Sequence, residues 1–258
     1  MARWTEGGRS ALEHFGQIGR MTGAAFREVV RPPLEIRATI YQIEALGVRS
    51  TVIACVAAVF IGMVMAVQFA VGLQKFGGVE YTGRIIGLSF ARELAPAMTA
   101  LIVGCRIGSG IAAELGSMAV TEQIDAIRSL GADPVKKLVV PRLFACIIIM
   151  PLLSSFALVM GFAGAMVVTY AEFGIPQGFF LKTALGSVGF RDLWSGLFKT
   201  PFFGVIIAAI GCHFGMRTRG GTEGVGQSTT RSVVAIAIAV LAADFLLTKV
   251  SLMVWPVG

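Results

Sequence analysis

Charged side chains occur inside otherwise apolar stretches of this sequence, where few water molecules are available to solvate them. Arg92 and Glu93 are adjacent in one such stretch, Lys199 lies in another, and Asp244 and Lys249 lie in a third. Leaving such a charge in contact with lipid costs at least about 2.5 to 3.5 kcal/mol, so these groups should face other helices or a polar cavity and pair there. Glu93 and Lys199 are the pair we expect. A purely structural ion pair and a substrate site both fit this pattern, above all for Asp244.

A short charged segment at residues 121–130 separates two long apolar stretches and carries the signals of a helix. Thr121 can cap its N-terminus, acidic residues follow in the first turn, and Gly131 and Pro134 end it. Apolar residues recur at every third position and form one face, made by Ile124, Ile127 and Leu130. A helix this short is marginally stable alone. Its apolar face therefore packs on the chain's own helices or docks onto a soluble partner.

The composition is that of a membrane protein. The 258-residue chain is 55% hydrophobic and 14% charged, with a mean hydropathy of +0.79, which excludes an ordinary soluble domain. Apolar runs long enough to cross a hydrocarbon core of about 30 Å are the signal for spans. Five such runs lie at about 50–74, 84–113, 143–171, 194–216 and 232–255. We therefore predict an all-α integral membrane protein whose residues 50–258 form the membrane domain.

Residues 1–49 precede the first span and are amphipathic, with a break at Pro32 and Pro33. This pattern is typical of helices that lie in the membrane interface, so we predict an interfacial elbow here. Basic residues are concentrated in three segments that hold about fourteen of the 22, namely 1–49, 114–142 and 217–231. The positive-inside rule places these segments and the N-terminus in the cytoplasm, and the C-terminus outside. The same rule accounts for the net charge of +7 without a nucleic-acid partner.

No residues in the sequence are arranged for catalysis. The four cysteines and two histidines show neither Cys-x-x-Cys spacing nor a cluster, so we expect no metal and no disulfide. No Gly-Lys pair occurs, and a P-loop needs one to hold the phosphates of ATP. We therefore expect a chain that is not an enzyme and binds no cofactor. Its energy would come from an ATP-hydrolysing partner or from an ion gradient.

Small residues recur at every fourth position of the second predicted span. The row consists of Ala100, Gly104, Gly108, Ala112 and Gly116. Such a row lets two helix backbones touch, because no side chain separates them. The helix that packs against it belongs either to the same chain or to a second copy.

Resemblance to the MlaE permease family is carried by residues 91–142, which are ARELAPAMTALIVGCRIGSGIAAELGSMAVTEQIDAIRSLGADPVKKLVVPR. Within this run occur, in order, Arg-Glu-Leu-x-Pro, Gly-x-Arg-x-Gly-Ser, Ala-Glu-x-Gly-x-Met, Thr-Glu-Gln and Asp-Pro. Thr-Thr-Arg at 229–231 and Asp-Phe-Leu-Leu-Thr at 244–248 extend the similarity over nearly the whole chain. Members of this family are the integral-membrane subunits of ABC systems that work with MCE-domain proteins in lipid traffic between membranes.

The resemblance implies a permease subunit that moves phospholipids or related lipids between the bacterial inner membrane and a periplasmic MCE-domain protein. Such transport maintains the lipid asymmetry of the outer membrane. A homodimer and a cytoplasmic ABC ATPase are implied as partners, with room for a small cytoplasmic accessory subunit. The 121–130 helix would be the coupling helix that inserts into the ATPase. Its expected contacts and anchors are Glu122, Gln123, Ile124, Asp125, Ile127 and Arg128.

The resemblance also assigns Arg92 and Glu93 to a central lipid cavity, where a cation can meet a phospholipid headgroup. Lys199 and Asp244 are expected to face the same cavity. Its apolar wall can come from the first span, on which Met63 and Val67 are candidates. Contact with bilayer lipid explains these two side chains equally well.

A second class of function remains open. A proton-coupled secondary transporter of a hydrophobic substrate would use Glu93 or Asp244 as a proton relay, and it would need a gradient but no ATPase. An intramembrane enzyme would need a nucleophile and a base at facing depths. The sequence offers neither a Ser/His nor a paired-Asp arrangement for one.

Overall fold

A computed structural model describes residues 16–28 and 35–254, which contain eight helices and no strand. We number them α1 (16–28), α2 (Ile36–Gln74), α3 (Val79–Val120), α4 (Gln123–Ser129), α5 (Val135–Phe173), α6 (Gln177–Ser187), α7 (Phe190–Met216) and α8 (Gly221–Val254). The five longest, α2, α3, α5, α7 and α8, are long and apolar enough to cross a membrane. The predicted all-α membrane fold with five spans is confirmed.

The helices extend beyond the apolar runs that predicted them. α2 begins at Ile36, so the second part of the predicted elbow continues directly into the first span. α8 begins at Gly221, eleven residues before the apolar run at 232. A helix satisfies its backbone hydrogen bonds internally, so it can continue from the membrane into water when its side chains become polar. Hydropathy detects only the apolar part of such a helix. The rest of the predicted elbow, at 1–15 and 29–34, and the tail at 255–258 lie outside the described residues.

The spans form one bundle in which neighbours in space are not always neighbours in sequence. α2 packs on α5, α5 on α7, and α7 on α3, while α8 packs on both α3 and α7. α1 also contacts this bundle, because Ala25 is fully buried against its core. The end of the bundle at which α3 stops and α5 starts carries α4, and we call it the α4 end. The other end carries α6.

The segment between the third and fourth predicted spans contains the helix α6. Phe180 is 1% exposed and packs in a second core cluster with Ile86 and Phe90 of α3. Close approach is possible because α3 has glycine at the contact, where a Cβ on Gly87 would meet the carbonyl oxygen of Ala184. α6 is too short to span a membrane, which is why hydropathy did not reveal it.

The row of small residues on α3 packs inside the chain. Gly104 lies under Ile207 of α7, and Gly108 lies under Ile236 of α8. A Cβ at Gly108 would collide with the Ile236 side chain. Of the two alternatives for this row, packing within the chain is therefore the one observed, and the row seats α7 and α8 on α3.

The contact between α2 and α5 gives a first testable prediction. A Cβ at Gly62 would overlap the carbonyl oxygen of Gly161, a backbone atom that cannot move aside. Gly62→Ala should therefore lower the free energy of unfolding by about 1 to 3 kcal/mol, the usual cost of overpacking. Thermal unfolding of the purified protein in one detergent measures this.

Gly72→Ala on the same helix is the matched control, because nothing lies within 4 Å of a Cβ there. Alanine is the better helix former by about 1 kcal/mol, so this variant should be neutral or slightly more stable. Equal losses for the two variants would contradict the packing of α2 on α5.

Candidate functional site

The site is built around an interruption of α3. Arg92 and Glu93 lie in a π-helical turn, Phe90–Leu94, and Pro96 follows directly after it. Because proline has no N–H, the carbonyl oxygen of Arg92 lacks the donor that an α-helix provides four residues later. The ammonium group of Lys199, on α7, lies 3.4 Å from this oxygen and donates to it. π-Helical turns are frequent at functional sites, and this one brings two charged residues into the bundle.

The adjacent part of α7 is shaped to bring Lys199 to α3. Gly196 permits contact of the two backbones, since a Cβ there would overlap the carbonyl oxygen of Ala91. Pro201 lies inside α7 and removes the donor for the carbonyl of Leu197. The hydroxyl of Thr200 replaces that donor at 2.7 Å. The backbone groups freed by both prolines are thus bonded to side chains.

Lys199 is the centre of a polar cluster that joins three spans. Its side chain is 2% exposed, and its ammonium lies 2.6 Å from Glu93 Oε2 on α3 and 3.3 Å from Asp244 Oδ1 on α8. It also donates to Thr248 Oγ1 at 2.7 Å, while Thr248 donates to Glu93 Oε1 at 3.1 Å. A buried ammonium is costly unless it is paired and fully hydrogen-bonded, and this one meets both conditions.

Glu93 is less buried than the lysine it binds. Its side chain is 40% exposed, and that of Asp244 is 20% exposed. The carboxylates therefore face outward from the buried ammonium. The cluster has a solvated or cavity-facing side as well as a buried one, so it can present charge to a ligand.

Arg92 is held by a different partner. Its Nε donates to Asp192 Oδ1 at 2.6 Å, and the other oxygen of that carboxylate accepts from the N–H of Gly189 at 2.8 Å. Asp192 thus caps the N-terminus of α7 and binds Arg92 at the same time. The structure brings Arg92, Glu93, Lys199 and Asp244 to one region, where α3, α7 and α8 meet.

The expected pair of Glu93 and Lys199 is present, whereas two further members of the region were missed. Thr248 follows Asp244 by four residues, which places both on one helix face, and this spacing was a usable signal. Asp192 is the third residue of α7 after Gly189, in the position of a capping residue. Its partner across the bundle could not be found from spacing.

A cavity of about 280 Å³ opens beside Lys199, between α7 and α8. Its walls are mostly apolar, and Lys199 forms part of its lining. The lining consists of Trp194, Ser195, Phe198, Leu247, Val250, Ser251 and Val254. Ser195 and Ser251 are hydrogen-bonded to each other at 2.6 Å, so their hydroxyls are satisfied within the wall.

Met63 and Val67 are not part of this cluster and do not line the cavity beside Lys199. α2 packs against α5, and its side toward α3 carries Ile61 and Met65. Residues two positions further on point to roughly the opposite side of a helix, about 200° away. Met63 and Val67 are therefore half-buried on another face of α2.

The short helix predicted at 121–130 is present as α4, but its first turn differs from the expected one. Thr121 does not cap α4; its hydroxyl donates to the carbonyl of Ser117 and completes the end of α3. Glu122 takes the N-cap position with a φ of 58°, a left-handed conformation that is strained for a residue with a side chain. This conformation makes the sharp turn from α3 into α4. Gly131, with a φ of 75°, ends the helix as predicted.

The apolar residues of α4 are not equally available to a partner. Ile124 is 4% exposed and belongs to the bundle core, and Ile127 packs partly against it. Ile124 therefore fixes α4 to its own bundle. Leu130, at the end of the same face, is 86% exposed. The exposed polar residues include Glu122, Gln123, Asp125 and Arg128, and Arg128 binds Asp125 at 2.8 Å.

A polar groove of about 690 Å³ lies beside α4. One side is formed by Glu122, Asp125 and Arg128, and the other by the connection between α7 and α8 at 217–221. Close by in sequence, the buried guanidinium of Arg142 binds Glu114 at 2.7 Å and ties the end of α3 to the start of α5. The surface around α4 is thus rigidly connected to the spans.

A bundle of five spans, three of which meet around a paired, buried lysine, with a short helix held at one end, defines a multi-pass membrane protein of the permease class. The chain belongs to the MlaE permease family, since the family model described as Permease MlaE matches residues 39–250. This match covers all five spans and α4.

Several curated proteins are similar over most of the chain. A probable ABC transporter permease of Synechocystis is 40% identical over 88% of this chain and 87% of its own length. One from Rickettsia conorii is 35% identical over 91% of this chain and 90% of its own length. The Arabidopsis thaliana protein TRIGALACTOSYLDIACYLGLYCEROL 1, chloroplastic, is 34% identical over 89% of this chain and 65% of its own length. The chain is accordingly a membrane permease.

Proposed function

We propose that the chain is the permease subunit of an ABC transporter that moves phospholipids or related lipids. The observation that carries this proposal is the cavity lined in part by Lys199, which places apolar walls next to a buried charged cluster. A lipid needs both, because its acyl chains favour apolar surface and its headgroup favours polar and charged groups. Relatives named as ABC transporter permeases, and one whose name contains that of a galactolipid, support the same function.

The proposed transporter contains two copies of this chain. A cavity of about 280 Å³ is small for a ligand with two acyl chains, so one copy encloses only part of such a molecule. α8 buries the smallest share of its surface among the spans and exposes Phe245, Leu246 and Val250 beside the cavity. A second copy placed around the cavity would complete its walls. Without a second copy, these exposed apolar side chains would face the lipid of the bilayer.

The remaining partners follow from the two ends of the bundle. The α4 end carries most of the basic residues, which favours a cytoplasmic position and contact with an ATPase that binds the ATP. The opposite end would face the periplasm and an MCE-domain protein, with the bacterial inner membrane between. A small cytoplasmic accessory subunit is compatible with the surface near α4. Lipid moved between the inner membrane and the MCE protein would maintain the asymmetry of the outer membrane.

The proton-coupled alternative receives less support from the geometry. It needs Glu93 or Asp244 as a carboxylate that exchanges protons, whereas both are bonded to Lys199 as its counter-charges. The ATP requirement of transport separates the two functions directly.

The proposal predicts which molecules accompany the protein. After affinity purification from native membranes in mild detergent, mass spectrometry should detect an ATPase subunit, an MCE-domain protein and phospholipid. In proteoliposomes, the purified complex should transfer phospholipid only when ATP is hydrolysed. Mixing with a non-hydrolysable ATP analogue is the matched control and should reduce transfer to background.

One result would refute the proposal. A protein that purifies without an ATPase, and whose lipid transport follows a proton gradient instead of ATP, would refute the ABC assignment. In that case Glu93 and Asp244 become the residues to test as a proton relay.

A further inference from the structure

A second amphipathic groove lies at the α4 end of the bundle, between the end of α7 and the beginning of α8. It has a volume of about 680 Å³, within the range of ordinary ligand sites. Arg217, the residue directly after α7, and Arg231 on α8 both line it. Phe214, Val234 and Ile238 provide its apolar surface.

The two arginines are available to a ligand. Both are exposed, and neither has a hydrogen-bond or ion-pair partner among the described residues. Thr230, which also lines the groove, donates its hydroxyl to the carbonyl of Gly226 at 3.0 Å. The guanidinium groups are therefore the charged donors that the groove offers. A guanidinium group can bind two phosphate oxygens with two parallel hydrogen bonds. The matching ligand is therefore a phosphate group, either free or in a phosphate ester.

The groove changes from polar to apolar along α8. Arg231, Val234 and Ile238 are spaced three and four residues apart and so lie on one face. Val234 is 54% exposed and Ile238 is 65% exposed. Ile238 lies about 10 Å further along the helix than Arg231, in the direction of the membrane interior. A free phosphate would fill only the arginine end, whereas a phospholipid would cover both ends.

This groove is separate from the cavity beside Lys199. Arg217 follows Lys199 by eighteen residues of continuous helix and its connection, a distance of about 27 Å along α7. That distance is close to the thickness of a hydrocarbon core, about 30 Å. One bound molecule therefore cannot occupy both positions.

We propose that an anionic phospholipid of the surrounding leaflet binds this groove, with its phosphate on Arg217 and Arg231 and an acyl chain along Val234 and Ile238. Basic pockets at the membrane boundary between spanning helices commonly hold such lipids. The bound lipid would link the end of α7 to the start of α8, beside the 217–221 connection that forms one side of the groove next to α4. The inference does not depend on which substrate the permease moves.

The amount of phosphatidylglycerol that the protein retains tests whether this groove binds an anionic phospholipid. The full-length protein, with the subunits that accompany it, is placed in nanodiscs of phosphatidylcholine that contain a minority of phosphatidylglycerol. Native mass spectrometry then counts the lipids that stay bound. We expect wild type to retain phosphatidylglycerol in preference to phosphatidylcholine. Arg217→Gln with Arg231→Gln should reduce that retention about tenfold or more, because charge-assisted hydrogen bonds are lost.

Two further variants separate the groove from general attraction between charges. Arg20→Gln with Arg37→Gln removes the same charge from exposed positions on α1 and α2 and should leave retention unchanged. Val234→Trp fills the apolar part of the groove at an exposed position and keeps both arginines. It should reduce retention as well, and it tests the proposal even if the double arginine variant folds poorly.

Three results would overturn the proposal. The first is equal retention by wild type and the Arg217/Arg231 variant. The second is a loss of retention in the Arg20/Arg37 control as large as that in the groove variant. The third is disulfide formation between copies carrying Ile238→Cys, since the groove would then be covered by a second copy of the chain.

Discussion

Replacing both carboxylates of the Lys199 cluster, by Glu93→Gln with Asp244→Asn, should destabilise the folded protein more than replacing the lysine itself. The double variant leaves a buried ammonium without any counter-charge, which typically costs about 3 to 5 kcal/mol. We expect the lower end of this range, because the Glu93 side chain is 40% exposed and can be solvated in part. Unfolding of the purified protein in one detergent measures the loss.

Lys199→Met should cost less, since it removes the buried charge and leaves two carboxylates that are partly exposed. Those carboxylates lie within about 6 Å of each other, because both contact the same nitrogen, so some repulsion remains. The triple variant, which combines Lys199→Met with Glu93→Gln and Asp244→Asn, has no charge left to compensate. It should therefore recover much of the stability, as buried ion networks often do when replaced as a whole.

A transport assay on these variants distinguishes a structural role of this cluster from its proposed role in lipid binding. If the ammonium holds the lipid phosphate, ATP-dependent transfer should be lost in Lys199→Met and should stay lost in the stable triple variant. Lys249→Met is the matched control, because Lys249 is an exposed lysine on α8 that lies over the ring of Phe245. It should retain both stability and transport. Recovery of transport in the triple variant would assign the cluster a structural role only.

The sequence predicts those features that follow from the cost of transferring groups into lipid. Apolar runs identified all five spans, because a helix that crosses lipid needs apolar side chains over the length of the hydrocarbon core and must bond its backbone groups internally. The pair of Glu93 and Lys199 follows from the same cost, since a charge inside a span needs a partner inside another span. Both predictions rest on local composition and a single physical penalty.

Features that depend on which helices touch could not be predicted in this way. Asp192 pairs with Arg92 across the bundle, and nothing in a single sequence indicates that contact. The inner face of α2 could not be predicted either, because a span that is apolar all round has no periodicity to mark its inner side. The left-handed conformation of Glu122 was likewise hidden, since it is imposed by the turn between α3 and α4.

Reversing the charge of α4, by Glu122→Lys with Asp125→Lys, should remove the ATPase from the purified complex while the MCE-domain protein remains. Both side chains are exposed and line the polar groove beside α4, so the spans should fold as before. Leu130→Asn should also weaken binding of the ATPase. We expect a loss of about 2 kcal/mol in binding free energy, or roughly thirtyfold in affinity, which is typical of an anchor residue in an interface. Leu130 is 86% exposed, so its loss costs the isolated chain little. Quantitative mass spectrometry of the co-purified subunits measures both effects.

The control for these variants reverses the same charge at the other end of the bundle. Glu80→Lys with Glu172→Lys changes two exposed acidic residues there and should leave the ATPase bound. Loss of the ATPase from this control would mean that net charge governs assembly, and not the surface of α4. Full retention of the ATPase by the α4 variants would place its binding surface elsewhere. Because Ile124 fixes α4 to the core, a partner that moves α4 must also move the ends of α3 and α5, and that rigid link is what would transmit ATP hydrolysis to the spans.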